Sequence, residues 1–194
     1  METKVLETQH LLIRPSVWED LVDFSKWERM PEVTKFFSIH DEQTDEECAI
    51  KFLEDQNNPK AEQFTIQLKP DAYALKDSAA RNIGRIVLAD IEAGWKGELW
   101  RIYISDTALR GQGLGKEAML ATMQHCFYDL GFERLYLDHY TGNPAAFLYQ
   151  SLGFQYEGVL RKNCRKNGIL YDVHLMSMLR DEYEAKYKVF SCNL

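Results

Sequence analysis

The sequence predicts an α+β fold in which a mixed, mostly antiparallel sheet is flanked by helices. Strand-type and helix-type apolar stretches follow one another as strand, two helices, several strands, helix, strand, helix and two strands. A glycine-rich turn, Arg110-Gly111-Gln112-Gly113-Leu114-Gly115-Lys116, joins a strand to the longest helical pattern. Asn167-Gly168 marks a hairpin near the end, because both residues tolerate positive φ. The 194 residues, 45% of them apolar, suffice for one compact core and fall short of two ordinary domains, so residues 1–194 are expected to form one domain.

Leu11-Leu12-Ile13-Arg14-Pro15 reads as the first strand, an apolar run ended by a proline that removes a ladder donor. Ser16 is expected to cap a helix in which Trp18, Leu21, Val22 and Phe24 fall near helical spacing. Glu19 and Asp20 occupy its first turn, where the helix dipole favours negative charge. A second helix is expected over Thr44 to Gln56, since Thr44 and Glu47 form a capping-box pattern and Cys48, Phe52 and Leu53 supply an apolar face. Phe64 to Leu68, Ile83 to Ile91 and Leu99 to Ile104 then alternate with turn-rich pieces, including the loop at Pro70, Asp71, Asp77 and Ser78, and read as an antiparallel meander.

Gly113 to Leu130 carries the longest helical pattern, with Leu114, Ala118, Ala121, Met123 and Phe127 at apolar positions and Gly131 as C-cap. Arg134 to His139 is a further strand, and Pro144 to Leu152 a short helix closed by Gly153. The remainder is expected to be two strands joined at Asn167-Gly168. No internal repeat, low-complexity run or linker interrupts this order.

The formal net charge of -7 argues against a nucleic acid partner, because nonspecific phosphate binding relies on surplus Lys and Arg. Arg161-Lys162-Asn163-Cys164-Arg165-Lys166 is one basic cluster, read first as a solvated hairpin and second as a contact for cofactor phosphates or an anionic substrate. Cys48, Cys126, Cys164 and Cys192 form no C-x-x-C pair and the start carries no apolar signal stretch, which favours a reduced, cytoplasmic setting. No window holds the roughly 18 uninterrupted apolar residues of a spanning helix, so no membrane partner is expected.

His10, His40, His125 and His174 share no metal-ligand spacing, and His125-Cys126 reads as a packed pair, so no metal is expected. Ser105 and Ser151 lack evident His and Asp partners, which sets serine-hydrolase chemistry aside. Trp18, Trp27, Phe36 and Phe37 read as core, with one or two able to line an acceptor pocket. The sequence is compatible with a homodimer.

Glycines at the strand-to-helix turn let backbone approach a ligand while the helix start presents unpaired N–H groups, which suits phosphate oxygens. Two nucleotide signatures fail. Gly-x-Gly-x-x-Gly would need glycine where Lys116 stands, and the Walker pattern needs Ser or Thr where Glu117 follows Lys116. The segment resembles instead the pyrophosphate loop of the GNAT acetyltransferase superfamily, Arg or Gln followed by x-x-Gly-x-Gly or Ala, at Arg110, Gly113 and Gly115. The family's second signature, Ala-x-x-x-Tyr-x-x-x-Gly-Phe, is matched after one helix and one strand by Ala145, Tyr149, Gly153 and Phe154. The resemblance spans roughly Gly84 to Leu179, and more loosely the first strand and helices.

This resemblance implies acetyl-coenzyme A as co-substrate and a sheet whose strand before the loop splays from its neighbour. Backbone groups near Ile102, Tyr103 and Ile104 would then pair with the pantetheine arm, and N–H groups of Arg110, Gly111, Gln112, Gly113, Leu114, Gly115 and Lys116 would hold the pyrophosphate. The first two helices would form one wall of the acceptor pocket. The resemblance makes Tyr149 the general acid beside the sulfur, and offers Glu98 and Asp138 as rival general bases. His139 could also titrate near neutrality, but strand alternation keeps it and Asp138 from facing one pocket together. The family's asparagine seven residues before the tyrosine is Gly142 here; Asn143, six before it, would reach the cofactor only through a shifted loop.

Val159-Leu160-Arg161, Asn167-Gly168 and Tyr171-Asp172-Val173 resemble the branch holding ribosomal-protein alanine and spermidine acetyltransferases. That implies a primary amine acceptor, either a small molecule or a protein N-terminus, with transfer in a ternary complex and no covalent enzyme intermediate. A noncatalytic acyl-coenzyme A sensor module is the alternative, against which Tyr149 stands. A nucleotide-binding protein is a further alternative, against which the failed signatures stand.

Overall fold

In the computed structural model, residues 4–70, 72 and 79–187 are described. The elements are β1 (Leu6–Glu7), β2 (Leu11–Pro15), α1 (Leu21–Trp27), α2 (Pro31–Thr34), α3 (Asp45–Asn57), β3 (Glu62–Leu68), β4 (Arg81–Glu92), β5 (Lys96–Ile104), α4 (Leu114–Gln124), β6 (Arg134–Tyr140), α5 (Ala145–Leu152), β7 (Gln155–Lys166), β8 (Ile169–Leu179) and α6 (Arg180–Tyr187). The strands form one open sheet in the order β1-β2-β3-β4-β5-β6-β8-β7. Every pairing is antiparallel except β5 with β6. The expected α+β class and the meander are both present. Asp71, Asp77, Ser78 and Cys192 lie outside the described residues.

Local signals held where one short segment decides the geometry. Thr44 Oγ1 accepts from Glu47 N–H at 3.1 Å, and Thr44 N–H donates to Glu47 Oε2 at 2.8 Å, completing the capping box of α3. Gly153 closes α5 at φ 102°. Ser16 is not a helix cap: its hydroxyl is buried against Thr65 Oγ1 at 3.0 Å. Asp20 instead takes the Val17 N–H at 2.9 Å while paired with Arg14 at 2.7 Å. Trp18, in the 3-10 turn before α1, Val22 of α1 and Leu53 of α3 are exposed although the periodicity put them on apolar faces. β1, α2 and α6 carry too few apolar residues to read from sequence; α6 buries Tyr183, stacked on Phe127 at 4.6 Å.

The sheet is covered on both faces. One core joins it to α4, α5 and α6 through Ile13, Ile66, Leu88, Leu99, Leu114, Ala118, Met123, Phe127 and Leu135. The other lies under α1 to α3, with Phe24, Trp27, Val33, Cys48, Phe52 and Tyr103. Burying side chains of this size contributes about 1.5–3 kcal/mol each, which fixes the helices against the sheet.

The expected helix through Leu130 changes winding after Gln124, where His125–Asp129 forms a π-helical turn. Through it the buried His125 ring meets Asp129 at 2.9 Å and Glu62 of β3 at 2.8 Å. Burial opposes the charged ring, but its hydrogen bonds to both carboxylates outweigh it and hold the His125 pKa above its ordinary 6.5. A raised folded-state pKa gives stability that is fully present below about pH 6.5 and lost as pH rises through the folded value. The wild type should therefore resist urea better at pH 6 than at pH 9, by an increment that His125→Gln removes. Equal pH dependence in both proteins would rule this clamp out.

Candidate active site

β5 and β6 run side by side only briefly. Lys96 pairs with Arg134, Gly97 with Leu135 and Glu98 with Tyr136; beyond Glu98 the ladder ends, although β5 continues to Ile104 and β6 to Tyr140. Gly97 allows this start, since a Cβ there would sit 2.5 Å from the Phe132 ring. A cavity of about 560 Å³ occupies the opening. Its lining brings together β5 from Glu98 to Ile104, Asp138 and Tyr140 of β6, Tyr149 and Leu148 of α5, and Arg110, Gly111 and Gly115 of the loop.

One register slip sets which β5 side chains look which way. Leu88 pairs with Leu99 and Val87 with Arg101, so Trp100 has no partner and forms a bulge. Leu99, Ile102 and Ile104 pack on the α4 side. Arg101 and Tyr103 turn to the α1–α3 side, and so does Glu98, the neighbour of Leu99 before the bulge. Without the bulge, Glu98 and Arg101 would face opposite ways.

Burial first, then the negative charges of Asp138 and Asp90, push the Glu98 pKa from 4.5 to about 7. Burial likewise raises Asp138. The Tyr149 phenol, 7% exposed, is pushed up to about 12 by burial and then by Asp138, so it is neutral and protonated at ordinary pH. Its hydroxyl has no hydrogen-bond partner among the described residues. At the loop, Gly111 and Gly113 adopt φ of 78° and 87°. The first bond within α4 is Glu117 N–H to Gly113 C=O, leaving the N–H groups of Leu114, Gly115 and Lys116 without a partner inside the helix.

A family model described as an acetyltransferase (GNAT) domain matches residues 10–155. The chain belongs to the GNAT acetyltransferase family. A curated relative, the probable N-acetyltransferase YjcK of Bacillus subtilis (strain 168), is 28% identical over 105 residues, 54% of this chain and 58% of that protein. The chain thus spans a little under three fifths of that relative's length. Among solved structures, spermidine N-acetyltransferase from Vibrio cholerae in complex with CoA and spermine superposes with a TM-score of 0.76 at 21% identity, covering 91% of this chain and 99% of that one. A GCN5-related N-acetyltransferase from Brucella melitensis gives 0.76 at 19% identity, covering 97% and 84%. These two likenesses establish a common fold.

In this GNAT domain Glu98, Ile102, Tyr103, Ile104, Arg110, Gly111, Asp138, Asn143, Tyr149 and Gly115 all line the cleft. Gln112, Gly113, Leu114 and Lys116 do not: the Gln112 amide turns back to Ala108 C=O at 2.8 Å, Gly113 caps α4, Leu114 enters the core and Lys116 is exposed. Asn143 Oδ1 accepts from Ala145 N–H at 3.0 Å, so its side chain caps α5. His139 turns away from the lining and stacks on His174 at 5.2 Å.

The pocket wall expected from α1 and α3 comes instead from α2 and the segment after it, through Glu32, Val33, Phe36, Phe37 and Ser38. The basic cluster divides: Asn163 and Cys164 line the cleft, whereas the buried Lys166 donates to Thr34 C=O at 2.9 Å and pairs with Asp41 at 3.1 Å. Arg101 is one of several lining residues that no sequence pattern marked. Among the described residues, no three His, Cys, Asp or Glu side chains are grouped to hold a metal.

Proposed function

We propose that this GNAT domain transfers the acetyl group of acetyl-coenzyme A directly to a primary amine in a ternary complex. The observation that carries this is the meeting, where β5 and β6 part, of a carboxylate poised near neutrality, Glu98, with a protonated buried phenol, Tyr149. The chain fits acetyl-coenzyme A: the unpaired edge of β5 can accept an amide-bearing arm, and the partnerless N–H groups at the start of α4 suit phosphate oxygens. That co-substrate would supply an activated thioester at the strand opening. An amine acceptor accords with the spermine held by the Vibrio cholerae neighbour.

Each residue then has one task. Glu98 takes the proton that the amine nitrogen loses as the C–N bond forms, and Tyr149 gives its proton to the sulfur as the C–S bond breaks. Burial, and then the charge of Asp138, keeps Glu98 basic enough to act near pH 7. Cys164 lines the cleft, but burial and the charge of Asp138 raise its thiol pKa, which makes it a poor nucleophile and favours direct transfer. The buried Cys126 thiol is raised further. Recovery of an acetyl thioester on Cys164 during turnover would overturn direct transfer.

The test is thiol release from acetyl-coenzyme A with polyamines, amino acids, aminoglycosides and peptides with free N-termini. Release with one class supports transfer. Binding of acetyl-coenzyme A without release for any amine points to a noncatalytic acyl-coenzyme A module. The pH profile is a sharper check on Glu98: kcat/KM should rise with pH through an inflection near 7, because the base must be ionised. Asp138→Asn removes a negative charge that raises Glu98, so the inflection should move to lower pH. An inflection unmoved in Asp138→Asn, or still present in Glu98→Gln, would exclude Glu98 as the base.

A further inference from the structure

The acceptor side of the cleft contains a buried charge cluster that does not balance. Glu28 Oε1, at the end of α1, accepts from Arg85 Nη1 at 2.7 Å, from Arg101 Nη1 at 2.6 Å and from Tyr103 Oη at 3.2 Å. Arg85 is 1% exposed, Arg101 5% and Glu28 2%. Burial and the Glu28 charge keep the Tyr103 phenol neutral by raising its pKa well above 10. Two guanidinium ions therefore share one carboxylate, and the cluster holds one positive charge in excess.

Burying an unbalanced charge is costly unless a partner arrives. The two arginines differ in access to one. Arg85 is closed in, with Nη2 on Gln63 Oε1 and its plane 4.5 Å from the Phe24 ring. Arg101 lines the cleft, with its guanidinium 4.5 Å from the Trp100 ring and 5.8 Å from the Phe37 ring; its Nε, like that of Arg85, has no acceptor, but of the two arginines it is Arg101 that reaches the cleft. Its ion-pair partner among the described residues is Glu28; neither Glu98 nor Asp138 pairs with it.

Resting on the acetyl-transfer reading, we infer that the acceptor amine also carries a carboxylate, which Arg101 binds with the planar fork that this group suits. The bulge at Trp100 puts Glu98 and Arg101 on one face of β5, three residues apart. At about 3.3 Å per residue, the amine and the carboxylate of the acceptor lie within about 10 Å of each other. Such an acceptor is a zwitterion, an amino acid or a short peptide, with its amine at Glu98 and its anion at Arg101. A polyamine would instead set a second cation against Arg101.

Calorimetric titration of the full-length protein with 4-aminobutyrate, L-lysine and glycylglycine, each beside its amide, reads this site without requiring turnover. At least one acid should bind about tenfold to a hundredfold tighter than its amide, the range of a charged hydrogen bond. That ratio should fall to near one in Arg101→Gln and recover in part in Arg101→Lys. Amides binding as well as acids, no binding by any acid, or a ratio that survives Arg101→Gln would overturn the inference. The wild-type comparison stands even where a variant fails to fold. Thiol release on the same panel separates the two readings: acid preference without release removes acetyl transfer and keeps the anion site, whereas release without preference does the reverse.

Discussion

Tyr149→Phe is expected to lower kcat by about a hundredfold or more, the usual contribution of a positioned general acid. The phenylalanine ring keeps the packing, since the Tyr149 ring lies against Phe154 at 6.2 Å and His139 at 6.2 Å, while the hydroxyl has no hydrogen-bond partner among the described residues. Acetyl-coenzyme A affinity should change little, because binding is assigned to the loop and to the β5 edge. A loss confined to kcat, with KM for acetyl-coenzyme A within about threefold of wild type, marks proton delivery in the transition state. A drop below threefold in kcat would mean that water or another group protonates the sulfur, and that Tyr149 is an aromatic of the core.

Glu28→Ala should cost about 3–5 kcal/mol of folding stability, the range for removing one partner of a buried ion pair. Here the loss strands two guanidinium groups and a phenol at once, since Arg85, Arg101 and Tyr103 all donate to one oxygen. Glu28→Gln keeps an acceptor but leaves two uncompensated charges, so it should also be destabilised. Urea midpoints checked against far-UV circular dichroism measure both. A cost below about 1 kcal/mol for Glu28→Ala would show that water already compensates the arginines, and would weaken the case for a bound carboxylate.

Glu98 contributes in the opposite sense. Its folded pKa is raised from 4.5 to about 7, so the folded state loses stability as pH climbs through that interval. At about 1.4 kcal/mol for each tenfold change, the strain reaches up to about 3 kcal/mol above pH 7. Sites that hold a base near neutrality store such strain, and Glu98 illustrates it with one half-buried carboxylate beside another.

Several parts of this protein were legible because a few neighbouring residues decide them. The capping box of Thr44 and Glu47, the closure of α5 at Gly153, and the hairpin at Asn167-Gly168 are all short-range. The spacing between Arg110, Gly113 and Gly115 and then Ala145, Tyr149, Gly153 and Phe154 carried the family. Short or polar elements were not legible: β1 has two residues and α2 four, too few for a period to register, and α6 buries only Tyr183.

The sequence by itself determined the class of fold, the loop at the start of α4, and Glu98, Asp138 and Tyr149 as candidates. Only the tertiary structure decided their electrostatics and the other half of the site. Burial and then Asp138 raise Glu98, the latter because β6 lies beside β5 at their last paired residue, and Arg101 joins the pocket because the bulge at Trp100, where β5 slips register against β4, turns it to the face of Glu98. Glu28 meets Arg85 and Arg101 across 57 and 73 residues of chain. Register, burial and long-range pairing depend on what the rest of the chain brings alongside, and no local pattern encodes them.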